Sequence, residues 1–257
     1  MTVAPYRSGD SLDRLKLAVT ELGLLSVLNT VTGGHDGKVQ FVLRSEDQID
    51  TAWAELGPAK SLIAESFVKF SREVSIIAVR GQDGDVKTWT LAENHHHNGI
   101  LSHSIVPAPN STDLQPVAQD YITRLLNHLN YVGVLTLELF VTEHGLYANE
   151  MACRVHNSGH WSIEGAICSQ FENHIRAVAG LPLGATDVVR PTVMINIIGQ
   201  HPKSEDVLAL KGAHLHLYNK SERAGRKLGH ITLMPNNSDE LTVLCRQLAQ
   251  ILPVPLA

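Results

Sequence analysis

The sequence predicts an α+β fold built on antiparallel sheets, and three observations predict it. Strand-like runs come as hairpin pairs around glycine turns, most regularly 133–141 and 146–151 about Glu143-His144-Gly145. Amphipathic helical stretches alternate with several such hairpins, which argues against a doubly wound parallel sheet. The chain has 257 residues, 44% hydrophobic and 18% charged, which suffices for a sizeable core and is unlike a disordered chain.

The elements follow in order. Residues 11–25 set leucines at helical spacing behind Ser11 as N-cap, with Gly23 as the stop. A short apolar piece at 26–28, a glycine loop at 32–38 and a strand at 39–43 make a hairpin. Residues 46–56 read as helix. Residues 61–65 and 73–80 read as strands, and a turn at 81–85 leads into a strand at 86–92. A polar, histidine-rich loop is expected at 93–98. A long amphipathic helix at 112–130 precedes the regular hairpin. A helix at 165–180 follows it, closed by Gly180 and Pro182. Residues 192–199, 214–218 and 228–233 read as strands and 238–251 as a last helix. No internal repeat or low-complexity linker interrupts the series.

Composition excludes several classes. The net charge of −5 lacks the basic excess of a nucleic-acid binder. No apolar run reaches the roughly 18 residues of a membrane span, and the N-terminal stretch lacks a secretory pattern. Cys153, Cys168 and Cys245 are widely spaced without a CxxC, so a disulfide framework fits poorly and a reducing cytoplasm is expected. Aromatic residues are 5%, so valine, isoleucine and leucine carry the core. Histidines number 14, which is high for the length.

Several residues can carry chemistry. Glu138 alternates with Leu137 and Leu139, so the leucines share one face and Glu138 takes the other. The turn centred on His144 sets Glu150 roughly opposite Glu138. Two carboxylates that close repel unless a cation sits between them, and magnesium, a hard ion that bridges phosphates, is the economical one. The same spacing fits two glutamates on a solvated face, and spacing leaves both readings open. Gly33, Gly34 and Lys38 lie in the glycine loop, whose backbone N–H groups can approach phosphate. The loop lacks the GxxxxGK[ST] pattern, and taken alone it reads better as an ordinary glycine turn. Glu65 and Glu73 flank a strand–turn unit, where acids bond ribose hydroxyls or are simply exposed. Arg154, His156, Asn157, Ser158 and His160 crowd the segment after the Glu150 strand, a density hard to explain as packing. Arg226 and Lys227 join Arg223 and His230 in a basic cluster, read as an anion site or as a solvated turn. The histidine run 95–97 makes a poor zinc site, because consecutive side chains diverge and no cysteine is near.

The stretch 149–161 (NEMACRVHNSGHW), followed by Ser169-Gln170-Phe171-Glu172, resembles N5-carboxyaminoimidazole ribonucleotide synthetase, an ATP-grasp family of purine biosynthesis. The resemblance continues through 93–101 (ENHHHNGIL), 131–141, 193–199 (VMINIIG) and 225–230 (GRKLGH), in order along nearly the whole chain. It implies the ATP-grasp fold, two α+β subdomains sandwiching a nucleotide, with a small C-terminal β-rich domain. The corresponding segments are 1–66, 67–190 and 191–257. It also implies a carbon–nitrogen ligase that carboxylates 5-aminoimidazole ribonucleotide with bicarbonate and ATP, through carboxyphosphate.

Residue roles follow from the resemblance alone. Glu138 and Glu150 match the magnesium pair, and Asn149 lies beside the phosphates. Glu65 matches the acid at the adenine hinge, the backbone at Phe67 and Val68 reads adenine, and Glu73 binds ribose. His96 matches a histidine near the nucleotide, and Gly33, Gly34 and Lys38 belong to the phosphate-covering loop. Arg154, His156 and Asn157 hold bicarbonate or carboxyphosphate. Arg226 and Lys227 bind the ribonucleotide 5′-phosphate. ATP and Mg2+ are the implied cofactors and a homodimer the implied assembly, with neither nucleic acid nor membrane as partner.

Three departures qualify the match. The family begins with a further domain of roughly one hundred residues, so half of the ribonucleotide pocket is expected from elsewhere, such as a separately encoded N-terminal domain. Asn29 stands where the family has a lysine, and Val39 where it has a glycine. Ala152-Cys153-Arg154 replaces alanine-proline-arginine. The alternative expectation is a truncated, catalytically impaired homologue that at most binds nucleotide.

Overall fold

The computed structural model describes residues 1–31, 40–56 and 61–253, apart from the side chain of Ser238. The chain divides into two compact units, Met1–Ser71 and Arg72–Ala257.

The first unit contains β1 (Thr2–Val3), β2 (Tyr6–Gly9), α1 (Leu12–Leu22), β3 (Ser26–Thr30), β4 (Gln40–Leu43), α2 (Ile49–Leu56) and β5 (Leu62–Ser66). A four-stranded sheet runs β2-β5-β3-β4, every neighbour antiparallel. Helix α1 starts where Ser11 Oγ accepts the Arg14 N–H at 3.3 Å. It stops at Gly23, whose φ of 78° costs a residue without Cβ nothing. Its buried face, Leu15, Ala18 and Val19, packs with Leu28, Leu62 and Ala64 of the sheet and Ile49 and Ala52 of α2. Each large apolar side chain so buried contributes about 1.5–3 kcal/mol. The glycine loop with Gly33, Gly34 and Lys38 lies outside the described residues.

The second unit begins with β6 (Arg72–Arg80), β7 (Val86–Thr88), β8 (Ala92–His97), β9 (Ile100–Val106) and α3 (Leu114–His128). It continues with β10 (Gly133–Thr142), β11 (Gly145–Ala152), α4 (Ser162–Gly165), α5 (Gln170–Val178) and β12 (Thr192–Ile198). It ends with α6 (Ser204–Leu208), β13 (Ala213–Leu217), β14 (Lys227–Leu233) and α7 (Ser238–Ile251). Its sheet runs β11-β10-β6-β8-β9-β12-β14-β13, with β7 also paired to β6.

Alternation sorts the residues of β6 and β10 to two faces. Val74, Ile76, Ala78, Leu135, Leu137 and Leu139 pack against Ala118, Ile122 and Leu126 of α3. Ile77, Val79 and Val134 pack on the other side with Trp161 and Ala177. Beyond those residues, the second face carries Glu73, Ser75, Thr136 and Glu138 instead of apolar groups. That polar stretch of the face is the floor of the site.

Of the segment 93–98, expected as a loop, all but Asn98 is part of strand β8, and the strand expected over 86–92 ends at Thr88. Its polar residues are paired rather than solvated: Ser104 Oγ donates to Asn94 Oδ1 at 2.8 Å, and Asn94 and Ser104 are buried. The helix expected over 165–180 begins only at Gln170, capped by Ser169 Oγ. Residues 166–168 are held out of the helix, because Ala166 bridges Val188 and the Trp89 indole N–H donates to Cys168 O at 3.0 Å. Strand β12, in the segment expected as a separate C-terminal domain, pairs with β9 and continues the sheet. No helix among the described residues is long and apolar enough to cross a membrane.

Candidate active site

The hairpin of β10 and β11 sets Glu138 directly opposite Glu150. One step on, Leu139 pairs with Ala148, so Asn149 is an extra residue in β11. Such a bulge bends the strand and re-aims its side chains. Here it places Asn149 and Glu150 consecutively on an exposed rim, opposite a half-buried Glu138. On the next strand, Ser75 of β6 lies opposite Glu138 and Glu73 lies opposite Asn94 of β8.

Glu73 and His96 form an ion pair, Oε2 to Nδ1, at 3.2 Å. Burial opposes the charge on His96, but its bond to Glu73 and the carboxylates of Glu73, Glu138 and Glu150 outweigh burial and raise its pKa. The adjacent His95 turns elsewhere. Its Nε2 lies 3.1 Å from a Glu93 oxygen, and its ring stacks on His103 with centroids 4.3 Å apart, while Arg72 takes the other Glu93 oxygen at 2.9 Å. The Glu138 carboxyl is pushed up to about 7, mainly by burial and then by Glu150 and Glu73, against the pull of His96 and Arg154.

The segment after β11 is held in place from below. Gln170, fully buried, accepts the His156 N–H at 2.9 Å and donates Nε2–H to His156 O at 2.6 Å. Its own N–H goes to Ser162 Oγ at 3.0 Å. This clamp fixes His156 over the floor. His156 Nδ1 lies 2.9 Å from Ser158 Oγ and accepts the Ser158 N–H at 3.3 Å, so its proton sits on Nε2, 3.7 Å from Glu138 Oε1. Burial, and then Arg154 and Lys227, lower the His156 pKa to about 4. At neutral pH His156 is therefore an uncharged N–H donor. Ser158 Oγ in turn meets Ser75 Oγ at 3.0 Å, tying the loop to β6.

Arg226 and Lys227 do not act alike. Arg226 is half-exposed and donates to Ser221 Oγ at 2.9 Å. Lys227 turns inward, donates to Asn157 Oδ1, and lies 3.3 Å from His160 Nδ1. Burial, and then Lys220, lower its pKa to about 7. In the first unit, Asn29 Nδ2 donates to Glu65 Oε2 at 2.7 Å. The Phe67 N–H goes to Leu25 O at 2.9 Å, so any reading of a base by this backbone falls to Phe67 C=O and Val68.

Glu73, His96, Glu138, Asn149, Glu150, Arg154, His156 and Asn157 thus belong to one unit, on neighbouring strands and the loop that follows them, and Lys227 joins them from β14 through Asn157. Sequence reasoning missed the clamp by Gln170 and the partner Ser75, and it placed Ser158 in the segment without its contacts to His156 and Ser75. A buried glutamine N-terminal in a helix gives no local signal of the backbone it holds. The donor set fits a hard divalent cation. Glu138, Glu150 and the Asn149 amide offer oxygens, and magnesium needs only one or two carboxylates besides phosphates and water. Among the described residues no group of three or more His, Cys, Asp or Glu is set to hold a metal, so the shell would be completed by an anionic ligand.

Residues 1–171 match the family described as ATP-grasp domain, and residues 192–243 match the phosphoribosylaminoimidazole carboxylase C-terminal domain. N5-carboxyaminoimidazole ribonucleotide synthase of Vibrio parahaemolyticus is 46% identical over 91% of this chain, which spans 63% of that protein's length. The crystal structure of N5-carboxyaminoimidazole ribonucleotide synthetase from Thermus thermophilus superposes with a TM-score of 0.92 at 43% identity, over 99% of this chain and 69% of that one. The carboxyaminoimidazole synthase of Aspergillus clavatus, solved with ADP and 5-aminoimidazole ribonucleotide, gives 0.89 at 29% identity, over 98% and 69%. On these matches along both segments, the chain belongs to the N5-carboxyaminoimidazole ribonucleotide synthase family of ATP-grasp proteins.

Proposed function

We propose that this chain carries the nucleotide and carboxylation machinery of an ATP-dependent carboxylation of 5-aminoimidazole ribonucleotide. The observation that carries the reading is the register that opposes Glu138 to Glu150 beside Glu73–His96, with Arg154, His156 and Asn157 on the loop directly after. A bicarbonate oxygen attacks the γ-phosphorus of ATP, the bond to ADP breaks, and carboxyphosphate forms. The substrate amine then attacks the carboxyl carbon, directly or after carboxyphosphate has released CO2. A C–N bond forms, phosphate leaves, and the amine proton goes with it.

Each residue does work in that sequence. Arg154 is a fixed cation for the bicarbonate and phosphate charge. His156, neutral and held on its Nδ1 side by Ser158, offers its Nε2–H to a carboxyphosphate oxygen. Asn157, bonded to Lys227, orients that lysine toward the ribonucleotide phosphate, with Arg226 nearer the solvent. Glu73 binds ribose with His96 against it, and Asn149 faces the phosphates. Glu65, Phe67 and Val68 are assigned to adenine, and Gly33, Gly34 and Lys38 to covering the phosphates. Glu138 and Glu150 would hold Mg2+, which would neutralise the negative charge of the transferring phosphoryl group. Bicarbonate as co-substrate, a homodimeric assembly, a cytoplasmic location and a partner-supplied N-terminal domain complete the proposal.

The test is phosphate release from MgATP that requires both bicarbonate and 5-aminoimidazole ribonucleotide, run with and without a separately expressed N-terminal domain. Release in either format supports the reading, and release in neither sinks it. One observation favours the second reading, an impaired homologue. Asn29, where the family has lysine, spends its amide on Glu65 and brings no charge toward phosphates. That homologue would bind nucleotide at most and release no phosphate in either format.

A further inference from the structure

The cluster behind Lys227 has a hydrogen-bond order that its donors and acceptors dictate. Tyr218 Oη lies 3.0 Å from His160 Nδ1 and 2.5 Å from His230 Nδ1. A phenol carries one proton, so it donates to one of these nitrogens and accepts from the other. His160 Nδ1 also faces Lys227 Nζ at 3.3 Å, and the charged lysine only donates. With Lys227 charged that nitrogen therefore accepts, its one lone pair shared between the two donors, and the His160 proton is on Nε2. The order that follows runs one way: His230 Nδ1–H donates to Tyr218 Oη, and Tyr218 O–H donates to His160 Nδ1.

This order leaves His230 Nε2 a bare lone pair. That atom is buried and has no hydrogen-bond partner among the described residues. A bare acceptor costs less to leave so than an N–H does, which independently favours the same tautomer. His230 is braced by His216, whose ring stacks on it at 4.3 Å and 8°. His216 Nε2 is anchored in turn to Glu164 Oε1 at 2.6 Å.

We propose that Tyr218 is a positioning residue. Held by His230, it locks His160 in the Nε2–H tautomer, so that His160 Nδ1 and Asn157 Oδ1 together keep the Lys227 ammonium directed into the site. The hold is needed because Lys220, whose Nζ lies 5.6 Å from the Tyr218 ring centre, repels Lys227. The other titratable groups near Lys227 are His156, His160 and His230. The functional consequence rests on the assignment of Lys227 to the ribonucleotide phosphate made above.

Two-bond proton–nitrogen spectra of the nitrogen-15-labelled chain at about pH 6, where Lys227 is charged and both imidazoles are neutral, test the lock without requiring activity. His160→Gln and His230→Gln variants supply the assignments. Two neutral imidazoles of opposite tautomer are expected, His160 protonated on Nε2 and His230 on Nδ1. The same tautomer in both, or an imidazolium in either, overturns the proposal. If the chain proves inactive, the reading of its function fails, while these spectra still decide the lock. Tyr218→Phe keeps the ring and removes the hydroxyl. In an active enzyme the KM for ribonucleotide should rise about tenfold, one charge-assisted hydrogen bond, with the KM for ATP unmoved. An unchanged ribonucleotide KM in the folded variant overturns the proposal, and so does an equal rise for both substrates. Should that variant fail to fold, the wild-type tautomers remain decisive.

Discussion

Glu150 and Glu138 face each other but live in different surroundings. Glu138 is half-buried, with its pKa pushed up to about 7, whereas Glu150 stands on the exposed rim beside Asn149. A buried carboxylate of this kind keeps its charge at neutral pH most readily when a cation is shared with a second carboxylate. Glu150→Gln keeps the shape and removes that second charge. Calorimetry should show the magnesium-dependent part of ATP binding lost in Glu150→Gln, a weakening of at least about tenfold. Equal MgATP affinity in the variant and the parent would show that Glu150 does not hold the metal.

At the scale of elements, the β10–β11 hairpin depends on the extra residue in β11. The extra residue lets Asn149 and Glu150 stand side by side on the rim while the pairs beyond them keep their register. Deleting Asn149 would straighten the ladder with Glu150 still opposite Glu138. It would remove the Asn149 amide and the bend that aims Glu150 and the segment delivering Arg154 and His156. The apolar partners of the hairpin, Leu137, Leu139 and Leu146, lie in the α3-facing core and remain. The deletion variant should therefore keep its circular dichroism spectrum and a cooperative melt, yet lose MgATP binding and phosphate release. Binding that survives the deletion would mean that the bulge does not set the site.

At the scale of the whole molecule, several histidines are folded in neutral form. Burial first, and nearby cations and histidines after it, lower His160 to about 2 and His230 to about 3. Burial and then His95 lower His103 to about 4. In the unfolded chain each titrates near the usual 6.5 or so. The folded state therefore binds fewer protons, and the stability present above that value is lost as pH falls toward the folded pKa values. Glu138 acts with the opposite sign, because its raised pKa keeps a proton that the unfolded chain releases, and His156 roughly offsets it. Near pH 5 or so, unfolding should take up roughly two to three protons. Urea titrations across the acid range check this, since the unfolding free energy should drop steeply with falling pH in metal-free buffer. A free energy flat from neutral pH down to about 4.5 would show that these histidines are not folded neutral.

The sequence by itself determined whatever depends on near neighbours along the chain. The turn at 143–145 fixes the pairing of Thr142 with Gly145 through Leu139 with Ala148 and so brings Glu138 to the Asn149–Glu150 stretch, because a hairpin register is set by its loop. Ser11 and Gly23 bound α1 because caps act within one turn of the helix. The family motif in 149–161 is likewise contiguous. Tertiary structure decided the rest. The histidine-rich segment at 93–98 reads as loop because no apolar alternation marks it, yet β6 and β9 on either side supply the ladder that makes it β8. The bulge at Asn149 leaves no periodic trace. The bond from Lys227 to Asn157 joins residues 70 positions apart, and that from Tyr218 to His160 joins residues 58 apart. Both arise because the sheet order places β14 beside β12, with β13 beyond it, and brings side chains from this end of the sheet to the loop that carries Asn157 and His160. Local spacing encodes which face a residue takes; only the packed sheet decides which distant residue it meets there.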